Sequence, residues 1–131
     1  MFDVYVIPKE SLLVARPKGV LDAEDARRIL DFIELKEIEV ETGFNRFCDL
    51  TSLLGIHLLV TDFLGLLERR QTFNPNDIRV KSAFYATNGL AFGVACMYEQ
   101  LLNSPRIEVR VTSSMQSAAD WLGVSLDRLK L

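Results

Sequence analysis

Asn45-Arg46-Phe47-Cys48-Asp49-Leu50-Thr51-Ser52-Leu53 reads as a buried β-strand that ends abruptly in an acid and two hydroxyls. The strand is predicted over Phe44 to Leu50, and the apolar run beyond it predicts a helix from Thr61 to about Thr72. A polar corner at the carboxyl end of a strand, followed by a helix, is where open α/β sheets place their sites. Asp49, Thr51 and Ser52 are therefore candidate binding residues, and Thr51 and Ser52 are candidate phosphorylation sites. A plainer role is also open, since Asp49 and Thr51 can bond backbone amides of the turn.

Upstream of this stretch, Val4–Ile7 and Leu12–Arg16 read as two strands joined by Pro8-Lys9-Glu10-Ser11. That link is too short for a crossover helix, so the pair is expected to be antiparallel. Pro17-Lys18-Gly19 breaks the second strand. Asp22, with Asp25 three residues on, predicts a capping-box start to a first helix. Ala26, Ile29, Leu30 and Ile33 form its inner face, the pattern fades through Lys36–Glu39, and Thr42-Gly43 ends it.

Downstream, Leu53-Leu54-Gly55-Ile56 reads as a connection into the second helix, which Asn74-Pro75-Asn76-Asp77 terminates. Ile78–Ala86 is rich in β-branched and aromatic residues and predicts a fourth strand. Asn88 or Thr87 caps a third helix running to about Asn103, and Ile107–Val111 alternates as a fifth strand. Ser113 with Gln116 predicts a capping box for a last helix that buries Ala118, Ala119, Trp121 and Leu122 and ends at Gly123. Ser125 to Leu131 carries no decisive pattern. The order ββαβαβαβα predicts an α/β fold: one mixed, mostly parallel five-stranded sheet with helices packed on it, forming a single domain over residues 1–131.

Composition narrows the function. Apolar residues make up 49% and charged residues 25% of the 131 residues, which suits a packed globular domain. A net charge of −3 with scattered basic residues gives no reason to expect nucleic acid as a partner. No apolar run reaches the ~18 residues of a membrane span, and the start Met1-Phe2-Asp3-Val4-Tyr5 shows no secretory signal. Cys48 and Cys96 lack Cys-x-x-Cys spacing, and with His57 as the one histidine no metal site is expected. Free thiols suit a reducing cytoplasm.

Three stretches and a closing motif carry a family likeness: Phe47-Cys48-Asp49-Leu50-Thr51-Ser52-Leu53-Leu54-Gly55-Ile56, Ala91-Phe92-Gly93-Val94-Ala95-Cys96-Met97-Tyr98, Ile107-Glu108-Val109-Arg110-Val111 and Ala118-Ala119-Asp120-Trp121-Leu122-Gly123. With the order of elements, they make the chain resemble the SpoIIAA-like (STAS/SEC14-like) proteins, relatives of anti-sigma-factor antagonist STAS domains. The resemblance implies a βα superhelical fold and a cytoplasmic, non-enzymatic module that acts by binding partners. Some STAS domains are switched by phosphorylation at the start of the helix after the third strand. Here that Asp-Ser-Ser-Gly-like corner falls near His57-Leu58-Leu59-Val60, leucine occupies the serine position, and only Thr51 and Ser52 remain to take a phosphate.

The second helix supplies the sharper expectation. Leu58, Leu59, Phe63, Leu66 and Leu67 cannot all point inward from one helix. Either a partner chain covers the excess or an apolar ligand lies beneath the helix. The leading expectation is a regulatory protein-interaction module, self-associating as a homodimer through Leu59, Phe63 and Leu66, with Thr51, Ser52 and His57 on the rim. The alternative is a carrier of a lipid or other small apolar ligand, with a cavity lined by Phe63, Leu67, Phe92 and Met97. A hydrolase pairing His57 with Ser52 or Cys48 ranks third, because no orienting group or oxyanion hole can be named for it. No catalytic residue and no cofactor is expected.

Overall fold

The opening hairpin forms because Phe2–Ile7 and Leu12–Pro17 (β1 and β2) are joined by one short 3-10 turn, Pro8–Glu10, which forces antiparallel pairing with Val4 opposite Ala15. The computed structural model describes residues 1–130, and Leu131, the last residue of the unassigned tail, lies outside them. Helix α1 (Ala23–Glu39) follows, then β4 (Asn45–Asp49), α2 (Val60–Thr72), β6 (Val80–Tyr85), α3 (Gly89–Leu101), β7 (Ile107–Thr112) and α4 (Met115–Leu122). Between these elements lie two short strands, β3 (Gly19–Asp22) and β5 (Leu53–His57), and the chain closes with a helical turn, α5 (Leu126–Leu129).

The main sheet has five strands in the order β1-β2-β4-β6-β7. All neighbours are parallel except β1 and β2. The expected mixed, mostly parallel sheet is therefore present, with crossover helices between its parallel strands. Residues two apart on a strand share a face, so register assigns the two sides. Leu13, Arg46 and Ser82 form one cross-strand row, and Ala15, Cys48 and Phe84 the next, on the same face. On the opposite face Leu12, Val14, Phe47 and Ala83 pack with Ala118, Ala119 and Leu122 of α4 and Leu129 of α5.

Several expectations need correction. Leu53–Ile56 is a strand rather than a connection: β5 pairs in parallel with β3 as a separate two-stranded sheet, running through Asp22 opposite His57. The break at Pro17–Gly19 thus only redirects the chain, through Gly19 at φ 68, from one sheet into the other. Asp22 does cap α1, accepting from the Asp25 amide at 2.8 Å. The Asp25 carboxylate, however, binds the Met1 ammonium at 2.6 Å instead of closing the capping box. The last helix is capped by Ser114, whose hydroxyl accepts from the Ser117 amide, and not by Ser113; Gln116 donates to Asp120. Gly123 ends it at φ 73, as a left-handed C-cap favours.

Candidate functional site

The corner at the end of β4 is built inward. Asp49, 6% exposed, accepts from the Thr51 amide at 2.9 Å and the Thr51 hydroxyl at 2.6 Å through Oδ1. Its Oδ2 accepts from Arg16 Nη1 at 2.5 Å, and Arg16 Nη2 reaches the Leu129 carbonyl. The plainer role foreseen for Asp49 and Thr51 is the one seen, with a buried ion pair added. Arg16 closes the apolar run Leu12–Ala15, and that misplaced charge is the signal that a buried acid must face it. Ser52 is exposed, and its carbonyl accepts from the Gly19 amide.

His57 is exposed at the end of β5, and among the described residues no hydrogen bond joins it to Ser52 or Cys48. Burial, with the Asp49 charge beside it, pushes the Cys48 thiol up to about 12, so it stays protonated at neutral pH. A poised nucleophile–base pair is not assembled from these three residues. Asn88 caps α3 by accepting from the Ala91 amide at 2.9 Å. Among the described residues no three His, Cys, Asp or Glu side chains cluster as metal ligands, and no helix is long and apolar enough to cross a membrane.

The space that stands out lies on the other side of the sheet from α4. Helix α2 packs chiefly against α1, and beneath it remains a cavity of about 170 Å³. Its walls come from Ile29 and Ile33 of α1, Phe63 and Leu66 of α2, and Cys48 and Phe84 of the sheet. Phe63 and Leu66 thus face the interior, whereas Leu59 is 69% exposed. Of the cavity residues expected from sequence, only Phe63 is present. Leu67 is buried elsewhere, Phe92 packs beside Ala91 and Ala95, and Met97 is 51% exposed.

One end of this cavity, where the parallel strands begin, is charged. Arg46, Arg70, Ser82 and Tyr98 line it. Behind them the buried Glu37 carboxylate accepts from Arg46 at 2.6 Å, Arg70 at 3.0 and 3.1 Å, and Arg106 at 2.9 Å. Burial alone would push this carboxyl up, but the hydrogen bond and charge of Arg70 and the charge of Arg46 outweigh it and hold it down to about 2. Burial lowers Arg46 to about 10, still fully charged at neutral pH. It raises Tyr98 against the neighbouring Arg70, so the phenol stays a neutral donor. Arg70 also lies 3.6 Å from Glu34, whose carboxylate is held by Arg69 at 2.9 and 3.0 Å.

No protein-family model matches the chain, and no curated protein matches it significantly. Solved structures do. An uncharacterized protein of the DUF3478 family with a SpoIIAA-like fold, from Shewanella loihica PV-4, superposes with a TM-score of 0.64 at 18% identity, covering 92% of this chain and 93% of that one. The anti-sigma factor antagonist SpoIIAA in its unphosphorylated form superposes with a TM-score of 0.54 at 15% identity, covering 94% of this chain and 98% of that one. The chain has a SpoIIAA-like fold.

Proposed function

We propose that this SpoIIAA-like fold serves as a non-enzymatic, STAS-type regulatory module that binds protein, itself included, through the outer face of α2. The observation that carries the reading is the exposure of apolar side chains at the start of that helix: Leu59 at 69%, Val60 at 74% and Leu64 at 50%. A helix that keeps large apolar groups in water on its outer face gains from being covered. The likeness to an anti-sigma factor antagonist supports a module of this kind. Ser52 and His57, both exposed, precede the helix and suit the rim of the contact. Ser52 is the better acceptor for a regulatory phosphate, since the Thr51 hydroxyl is engaged by Asp49.

Sedimentation equilibrium on the double variant Leu59→Asp/Leu64→Asp tests the reading. Both side chains lie outside the core, so the fold and melting temperature should hold while the assembly falls to monomer. A variant that sediments with the wild type's mass would remove this face from consideration. Phe63 and Leu66 are unsuitable for the same test, because polar groups there would enter the cavity wall.

A second reading, a carrier of a small apolar ligand, is favoured by one observation of its own. The space under α2 is bordered by the inner side of the same helix, through Phe63 and Leu66, and by Leu58 just before it.

A further inference from the structure

We propose that the cavity under α2 takes a small monoanionic amphiphile, a single-ring or short-chain carboxylate, with its carboxylate towards Arg46 and Arg70 and its apolar end towards Leu53 and Phe63. The inference rests on the carrier reading and adds to it a size, a charge and an orientation.

Size comes from volume. At about 170 Å³ the cavity is close to the ~150 Å³ apolar cavity that accommodates one benzene molecule, and well below the ~300 Å³ at which drug-sized sites begin. The volume matches one ring or a chain of roughly six carbons. Orientation comes from register. Arg46 and Ser82 share the row nearest the strand starts, whereas Leu50, Leu53 and Ile56 line the cavity beyond the far end of β4. The polar end and the greasy end are thus separated along the strand direction.

Charge comes from the network behind the polar end. Arg46, Arg69, Arg70 and Arg106 face Asp31, Glu34 and Glu37, which leaves one positive charge over. Three of the four guanidinium groups converge on the single Glu37 carboxylate, and all three arginines are buried. Arg46 Nε has no acceptor among the described residues, but it is shielded from the cavity, so the ligand would meet the outer nitrogens of the guanidinium. Buried charge is costly when unmatched, and a carboxylate beside the guanidinium groups that line the cavity offsets it. The Tyr98 and Ser82 hydroxyls at the same end offer further donors to such a head group. A neutral ligand of equal shape would gain only the apolar contacts.

The test compares matched probes on the full chain by NMR: benzoate against benzyl alcohol, and hexanoate against hexanol. Saturable binding of the carboxylates is expected, tenfold or more tighter than the alcohols, as charge-assisted hydrogen bonds imply. Their binding should shift the Arg46 Nε–H and the Leu53 and Ile33 methyl resonances. Arg46→Met should erase the preference while keeping alcohol binding; if that variant does not fold, the wild-type ratio and the shifted resonances decide alone. Equal affinity for acid and alcohol would overturn the anionic head group and leave the carrier reading standing. Binding of neither probe would overturn both. Carboxylate binding that leaves Arg46 and the lining methyls unmoved would place the ion on the surface and overturn the site.

Discussion

Replacing Glu37 with glutamine removes one negative charge from among three buried guanidinium groups and leaves the shape almost unchanged. Glu37 is 4% exposed and accepts from Arg46, Arg70 and Arg106. Removing one partner of a buried ion pair costs about 3–5 kcal/mol, because the remaining charge stays desolvated. A second route gives a similar figure. A carboxyl held down to about 2 against an ordinary 4.5 is linked to about 3 kcal/mol of stability. That contribution is complete above pH 4.5 and is lost as pH falls towards 2, because the folded state is then the poorer proton binder. Urea denaturation at a series of pH values should therefore show Glu37→Gln less stable than wild type by about 3–5 kcal/mol at pH 7. The gap should close as the pH is lowered through the window from 4.5 to 2. A gap below about 1 kcal/mol at neutral pH, or one that does not change with acid, would refute the reasoning.

Phe47, fully buried beneath α4 and 6.2 Å from the Tyr85 ring, should cost about 3–5 kcal/mol on truncation to alanine, read as a lowered urea midpoint. Gly43→Ala should destabilise by about 1–3 kcal/mol, since Gly43 sits at φ 80 and an added Cβ would lie 2.6 Å from Ile78 Cγ2. Gly93→Ala, in the middle of α3 with open space around it, should instead stabilise by about 0.5–1 kcal/mol in the same assay. Cys48 should resist iodoacetamide at pH 8 in the native protein, because a thiol pushed up to about 12 is almost wholly protonated there; alkylation at the unfolded rate, read by peptide mass, would contradict that burial.

The main sheet was legible because its strands alternate or run apolar and its helices carry apolar stripes at helical spacing. Strands β3 and β5 were not, since Gly19–Asp22 and Leu53–His57 are short, carry glycine, and gain their order from each other across the fold rather than from local pattern. The Asp49–Thr51 turn was readable from two residues, whereas Arg16 lies 33 positions away and announced itself only as a charge at the end of an apolar run. The second helix carries too many apolar residues for one face, and its two sides do divide. Leu59, Val60 and Leu64 face water, and Phe63 and Leu66 face the cavity.

The charged end of the cavity left a fainter trace. Glu37 falls four residues after Ile33, and Arg70 four after Leu66, both in phase with an inward stripe. Charges in phase with a core stripe must find partners, but which arginines converge on Glu37 depends on crossovers that bring α1, α2, β4 and the start of β7 together. Asp49 marks a strand's carboxyl end, where open α/β sheets place their sites, whereas the polar end of the cavity lies where the strands begin.

Native mass spectrometry of the freshly purified chain, beside its denatured mass, tests the binding-module account most directly. The account predicts an assembly of two chains that the Leu59→Asp/Leu64→Asp change dissociates without loss of fold. A wild-type protein that stays a single chain at every concentration would contradict self-association through α2.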